Sequence, residues 1–157
     1  MESTLPTKRT SGLSFRTIAG VFKLRIGVVI TFTALAGLAV SSGPSLSILQ
    51  LLVLTFAVLI SSASAGAFNQ YYEHDTDPLM SRTKNRPFAT GEVKHGPIWL
   101  VVIFGLMAVS VVAAWLALNA WSALFTFLGA FFYAIVYTVW LKPVSYTHLT
   151  LPTNREV

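Results

Sequence analysis

The sequence predicts an all-α integral membrane protein, and three observations carry that reading. Of the 157 residues, 54% are hydrophobic and only 11% are charged, less than half the charged share of an ordinary soluble domain, which is about a quarter. Four apolar stretches approach or reach the ~20 helical residues needed to cross a hydrocarbon core of about 30 Å. The basic residues are distributed around those stretches in a one-sided pattern. The chain has no cysteine, which excludes a disulfide frame, a thiolate nucleophile and a Cys-ligated metal. His74, His95 and His148 lack the local spacing of metal ligands.

The first span covers about residues 22–41, with the stems of Lys23 and Arg25 snorkelling to the headgroups. Its basic flank also fits a signal peptide, but no small-x-small cleavage site precedes a soluble domain and three more spans follow. The second span, about 46–68, carries no charge. The third and fourth cover about 98–118 and 121–141, each bounded by polar residues, Gly or Pro. The connections Ser42 to Ser45 and Asn119–Ala120 are short and uncharged. Lys8, Arg9, Arg16, Lys23 and Arg25 precede span one, Arg82, Lys84, Arg86 and Lys94 lie between spans two and three, and Lys142 follows span four. If the spans alternate, all of these share one side, which the positive-inside rule makes the cytoplasm. The expectation is a multi-pass protein of the cell's inner (plasma) membrane with a cytoplasmic amino terminus. The net charge of +5 is accounted for by sidedness, and no nucleic-acid partner is needed to explain it. Residues 1–17 read as a cytoplasmic segment, 18–143 as the membrane domain and 144–157 as a separate tail.

Four of the six acidic residues fall between Asn69 and Pro97. Asn69, Glu73 and Asp77 are spaced i, i+4, i+8, so a continuing helix places them on one stripe that drifts ~40° per step. Asp75 points elsewhere. Pro78 disfavours helical backbone at Asp77, so the helix is expected to end near Asp75 to Asp77, with the carboxylates at the water boundary and ionised. Two carboxylates and an amide oxygen are hard ligands, suited to Mg²⁺ that keeps waters and substrate phosphates. Arg82, Lys84 and Arg86 follow, cations able to meet phosphate oxygens. The alternative is a solvated loop whose charges neutralise one another. The small residues Ser61 to Ala67 before Asn69 permit close helix packing and also leave room for a bulky guest.

The run from Asn69 through Glu73, Asp75, Asp77, Met80, Arg82-Thr83 and Asn85-Arg86-Pro87 resembles the first aspartate-rich motif of the UbiA superfamily of intramembrane prenyltransferases. It is most similar to the protoheme IX farnesyltransferase (haem O synthase) branch. Met80 and Asp75-Thr76-Asp77 favour that branch, whereas quinone-precursor enzymes usually have Asp where this chain has Gln70. Glu73 stands where many members have Asp, and Leu24 replaces the usual Pro in the basic entry Lys23-x-Arg25. The likeness covers roughly residues 15 to 142.

That resemblance implies a nine-helix bundle, of which these spans are the first four, with two acidic motifs facing each other at its cytoplasmic mouth. Only the first motif is present, so the chain reads as an amino-terminal portion, expected to be inactive alone. The implied reaction is farnesyl transfer from farnesyl diphosphate to haem B, giving haem O. The resemblance implies Asn69, Glu73 and Asp77 as catalytic Mg²⁺ ligands and Arg82 and Arg86 as diphosphate contacts. Lys84, Arg25, Tyr137 and Lys142 reach the same membrane face and are added to that diphosphate set. Expected partners are the two substrates, the lipid bilayer, and haem A synthase or oxidase-assembly proteins. From Val144 the tail resembles a peptide translated from sequencing-adapter DNA, so His148 and Arg155 are given no role. Two rivals stand beside this reading: a related prenyltransferase acting on an aromatic acid or chlorin, and a non-enzymatic four-span protein whose loop binds headgroups or a partner.

Overall fold

A computed structural model describes residues 14–43 and 45–141; Lys142 and the tail with His148 and Arg155 lie outside them. All described regular structure is helical. The order is α1 (Phe15–Val21), α2 (Leu24–Val40), α3 (Ile48–Tyr72), α4 (Pro97–Ala117) and α5 (Ala120–Phe131), the last continuing as a π-helical segment over Phe132–Leu141. Three helical spans are long and apolar enough to cross a membrane, and a fourth is obtained if α1 and α2 count as one bent span.

Local sequence sets the helix ends. Ser47 begins α3 with a reciprocal capping box to Gln50. Gly96-Pro97 starts α4 with a proline at the position where a missing N–H costs nothing. The Asn119 side chain accepts from the Ser122 N–H to start α5. At the other end of α4, the Gln50 side-chain amide donates to the Ala117 carbonyl at 3.1 Å, satisfying one of the carbonyls a helix terminus leaves unpaired.

α3 is the hub: it packs against α1, α2, α4, α5 and the π segment. Its buried residues are almost all small, including Ala57, Ser61 and the run Ala63 to Ala67, so backbones approach closely, the usual basis of helix association in lipid. At Gly27 of α2 a Cβ would lie 3.1 Å from the Leu59 side chain. Many large side chains instead face outward, among them Phe32, Val101, Trp115 and Leu116, a surface suited to lipid tails. At 25 residues and about 1.5 Å per residue α3 measures roughly 37 Å. It therefore exceeds a ~30 Å hydrocarbon core and carries Asn69 to Tyr72 toward the polar loop.

The first span differs from its expected form. The helix is not continuous from Val21 into Leu24; it breaks between them by 57° and restarts at Leu24, with Lys23 in left-handed backbone (φ 48, ψ 43). Two features of α3 make the break tenable. Gln70 donates its amide to the carbonyls of Gly20 (2.6 Å) and Val21 (3.1 Å) at the end of α1, where the Lys23 N–H also reaches Gly20 (3.3 Å). Gly66 leaves the space into which Lys23 folds, since a Cβ there would sit 3.3 Å from Lys23 Cβ and 3.4 Å from the Phe22 oxygen.

Candidate functional site

α3 ends at Tyr72, earlier than the expected Asp75 to Asp77, and Glu73 caps it. The acidic stripe survives this early stop because the Glu73 N–H still bonds the Asn69 carbonyl (3.1 Å) and the Asp77 N–H bonds the Glu73 carbonyl (2.9 Å). A short 3₁₀ turn, Asp77–Leu79, follows. Asn69, Glu73 and Asp77 therefore do share one face. Asp75 points away, with its side chain 85% exposed and paired with His74 at 3.1 Å.

The expectation that the carboxylates lie at the water boundary is corrected. Glu73 and Asp77 are only 6% and 2% exposed, because the loop folds back over them. The Thr83 hydroxyl donates to the Asp77 carbonyl at 3.0 Å, and this turn delivers Arg86 onto the acids. One guanidinium nitrogen, Nη1, donates to Asp77 Oδ1 (2.8 Å), Asp77 Oδ2 (2.9 Å) and Glu73 Oε2 (3.1 Å). Burial of the guanidinium opposes its charge, but its hydrogen bonds and charge interactions with Asp77, then Glu73, outweigh that and hold its pKa above the ordinary value. Arg86 thus sits on the acids rather than standing open toward a phosphate.

Asn69, 2% exposed, joins a second cluster. Lys23 Nζ donates to Asn69 Oδ1 and to the Tyr133 hydroxyl at 3.2 Å, while Asn69 Nδ2 donates to the Thr138 hydroxyl at 3.2 Å. The wider π-helical turn orients Thr138, whose hydroxyl bonds the Tyr133 carbonyl five residues back at 2.9 Å, a geometry frequent at functional sites. Tyr137 is half exposed and stacks on Tyr133, with centroids 5.7 Å apart. Arg25, Arg82 and Lys84 remain on the surface. His74 and His95 stack on each other at 3.6 Å between ring centroids, and His95 also stacks on Tyr71 at 4.0 Å.

Lys23, Tyr133 and Thr138 are the residues that sequence reasoning missed as members of the site. The available signal for Lys23 was its place inside an apolar run opposite Gly66; spacing alone could not show the left-handed turn. Tyr133 and Thr138 depended on π-helical geometry, which a 3.6-residue period does not reveal.

Below Lys23 and Tyr133, a cavity of about 570 Å³ runs between α2, α3 and α5, past Ile30 and Val58 to Phe125 and Trp121. Its walls are mostly apolar and its head carries Lys23, bonded to Asn69. Among the described residues no three His, Cys, Asp or Glu side chains cluster as a metal site. The donor set nevertheless fits a hard divalent cation that retains waters: three carboxylate oxygens already converge on a single positively charged nitrogen.

These features define a multi-pass helical membrane protein with a largely apolar chamber headed by Lys23 and a separate buried cluster of Arg86 with Glu73 and Asp77. The chain belongs to the UbiA prenyltransferase family, whose model matches residues 30–152. That match runs past residue 143, where the sequence reading closes the membrane domain. The chain is 50% identical over 129 residues to protoheme IX farnesyltransferase 2 of Paramagnetospirillum magneticum, covering 82% of this chain and 45% of that protein. It is 37% identical over 131 residues to the protoheme IX farnesyltransferase of Gluconacetobacter diazotrophicus, covering 83% and 41%. Against that of Neorickettsia sennetsu it is 36% identical over 138 residues, covering 85% and 45%. It therefore spans less than half the length of these relatives. No solved structure matches it.

Proposed function

We propose that the protein to which these residues belong transfers the farnesyl group of farnesyl diphosphate to haem B, forming haem O. The observation that carries this reading is an apolar chamber headed by Lys23 and Tyr133, with Lys23 bonded to Asn69, one helical turn before the acids that Arg86 bridges, an arrangement suited to an amphiphile with an anionic head. The names of the relatives supply the prenyl donor and the acceptor.

An allylic diphosphate ionises when the charge departing with its leaving group is stabilised in place. Lys23 and Arg86 supply cationic donors toward that charge. Glu73 and Asp77, with Asn69 beside them, would hold Mg²⁺, in keeping with the family's general use of it; the bound ion would add electrostatic stabilisation of the diphosphate. Ile30, Val58 and Phe125 line the chamber and exclude water from the allylic cation, limiting its quenching. Arg82, Lys84, Arg25, Tyr137 and Lys142 would serve as further diphosphate contacts. The activity is assigned to the protein at its relatives' length, with the 157 residues alone inactive.

The assay is conversion of farnesyl diphosphate and haem B to haem O by the longer protein, with product mass identifying the acceptor. A product built on an aromatic acid or chlorin would replace the acceptor in this reading, and no prenyl transfer at all would leave a binding protein. For location, we propose an inner-membrane protein with the amino terminus and the loop around Arg86 cytoplasmic. Single cysteines at Ser42 and Asn119 are expected to label from outside and one at Thr90 is not; external labelling at position 90 would reverse the sidedness.

A further inference from the structure

We propose that Arg86 is a built-in placeholder for the divalent cation: its guanidinium occupies the ion's position while the site is empty and is released toward the substrate's phosphates when the ion binds. The inference rests on the reading of Glu73 and Asp77 as cation ligands and goes beyond it by assigning Arg86 two successive partners.

The contact geometry motivates it. Arginine normally pairs with a carboxylate through two nitrogens in a fork. Here Nη1 alone meets both oxygens of Asp77 and one of Glu73, so three oxygens surround one positive point as they would surround a metal ion. Without a cation, two neighbouring carboxylates that are 6% and 2% exposed would repel across a poorly hydrated gap. The placeholder removes that penalty and keeps both acids aimed at the same point.

The surroundings permit the exchange. The Arg86 backbone is held on both sides, its N–H bonding the Thr83 carbonyl (3.0 Å) and its carbonyl accepting from the Thr90 N–H (2.9 Å). Pro87, buried, packs against Gly20. Only the side chain has to move, and at 19% exposure it borders solvent, where a diphosphate head would arrive. Ion binding and diphosphate binding are thereby coupled: the ion takes the acids and frees an arginine, while phosphate oxygens hold that arginine away from the acids.

The test uses the 157-residue chain in detergent micelles, with Mn²⁺ as the probe ion and inorganic pyrophosphate as the probe anion. Arg86→Gln removes the competing charge, so Mn²⁺ binding without pyrophosphate, read by electron paramagnetic resonance, is expected to tighten about tenfold or more. The gain in Mn²⁺ affinity that pyrophosphate produces in the unmodified chain is expected to shrink in the variant. Unchanged or weaker Mn²⁺ binding by a folded Arg86→Gln chain overturns the proposal. Should that variant fail to fold, nitrogen-15 spectra of the arginine side chains of the unmodified chain decide the matter. Diamagnetic Mg²⁺ should move the Arg86 Nε–H signal to the position of solvent-exposed arginines, and a signal that stays in place at saturating Mg²⁺ refutes displacement. Asp77→Asn separates the two ideas. If it leaves ion binding intact, the ligand reading itself fails; if it abolishes binding while Arg86→Gln gives no gain, only the placeholder fails.

Discussion

Along α3 the neighbours change character from one end to the other. Around Ala57 the helix meets Ala114 of α4 and Ala123 of α5, small side chains that bring backbones together. Around Asn69, about three turns farther on, it meets Lys23, itself bonded to Tyr133, and Thr138 through directed hydrogen bonds, with Arg86 closing over Glu73 and Asp77. In the body, association depends on close contact that lipid cannot match. At the mouth Asn69, Glu73 and Asp77 are each buried with particular partners, so losing one leaves the others unsatisfied. The difference teaches that chemical specificity in this protein is concentrated in one terminal turn of one helix and whatever that turn holds in place.

The sharpest way to break this contrast is within the loop itself. In the full-length relative-sized protein, Asp77→Asn preserves shape but removes a buried charge aimed at the cation position, and turnover is expected to fall by about a hundredfold or more. Asp75→Asn, on a side chain that is 85% exposed, is expected to stay within about twofold, since exposed pairs contribute little. Steady-state assay of haem O at limiting Mg²⁺ compares them. Equal, near-normal rates would put Asp77 in the same class as a solvated loop residue.

Next in size is Lys23 against Arg25, two cations two residues apart with opposite exposure. Lys23 turns inward to the head of the chamber, whereas Arg25 is exposed. Lys23→Met is expected to raise KM for farnesyl diphosphate about tenfold, the worth of one charge-assisted contact, with Arg25→Met changing it by less than about threefold. The reverse order would mean that the helix break at Lys23 does not serve the site.

What the sequence made legible follows the same division. The membrane body could be read because apolar runs and their polar bounds are local: the expected 98–118 and 121–141 correspond to Pro97–Ala117 and Ala120–Leu141. The stripe Asn69, Glu73, Asp77 was also legible, since it needs only helical periodicity. The partners were not. Arg86 reaches the acids through a turn anchored by Thr83, a tertiary event that charge counting reads as a free cation. The break before Leu24 depends on Gln70 and Gly66 of another helix, so no window on span one alone contains it.

A smaller effect tests that break through glycine. Gly37 in α2 has open space around it and Gly66 faces Lys23 and the Phe22 oxygen. Gly37→Ala is expected to stabilise the chain by up to about 1 kcal/mol through helix propensity. At Gly66 the same gain is offset by crowding at 3.3 to 3.4 Å, so Gly66→Ala should leave the thermal midpoint nearly unchanged while weakening diphosphate binding through a displaced Lys23. Parallel behaviour of the two variants in both measurements would show that the hinge tolerates a Cβ and that Lys23 does not depend on it.

The smallest expected effect concerns pH and the Arg86 bridge. Its partners hold the Arg86 pKa above the ordinary guanidinium value. A group raised on folding contributes stability that is complete below its unfolded pKa and is lost only as pH rises through the folded one. For arginine that loss lies beyond the alkaline range in which a membrane protein can be handled, so from about pH 8 to about pH 11 the bridge should contribute constantly. Arg86→Lys moves the same event into reach, because an unfolded lysine titrates near about 10.4. The thermal midpoint of Arg86→Lys should therefore run parallel to that of the unmodified chain up to about pH 9 and fall progressively below it toward pH 11. Every other residue is common to both chains, so the difference between the two curves reports on position 86 and the groups it faces. A difference that stays flat across that range would mean that the cation at position 86 is not coupled to Glu73 and Asp77 in solution, and the distinction between a directed mouth and a merely packed body would lose its central contact.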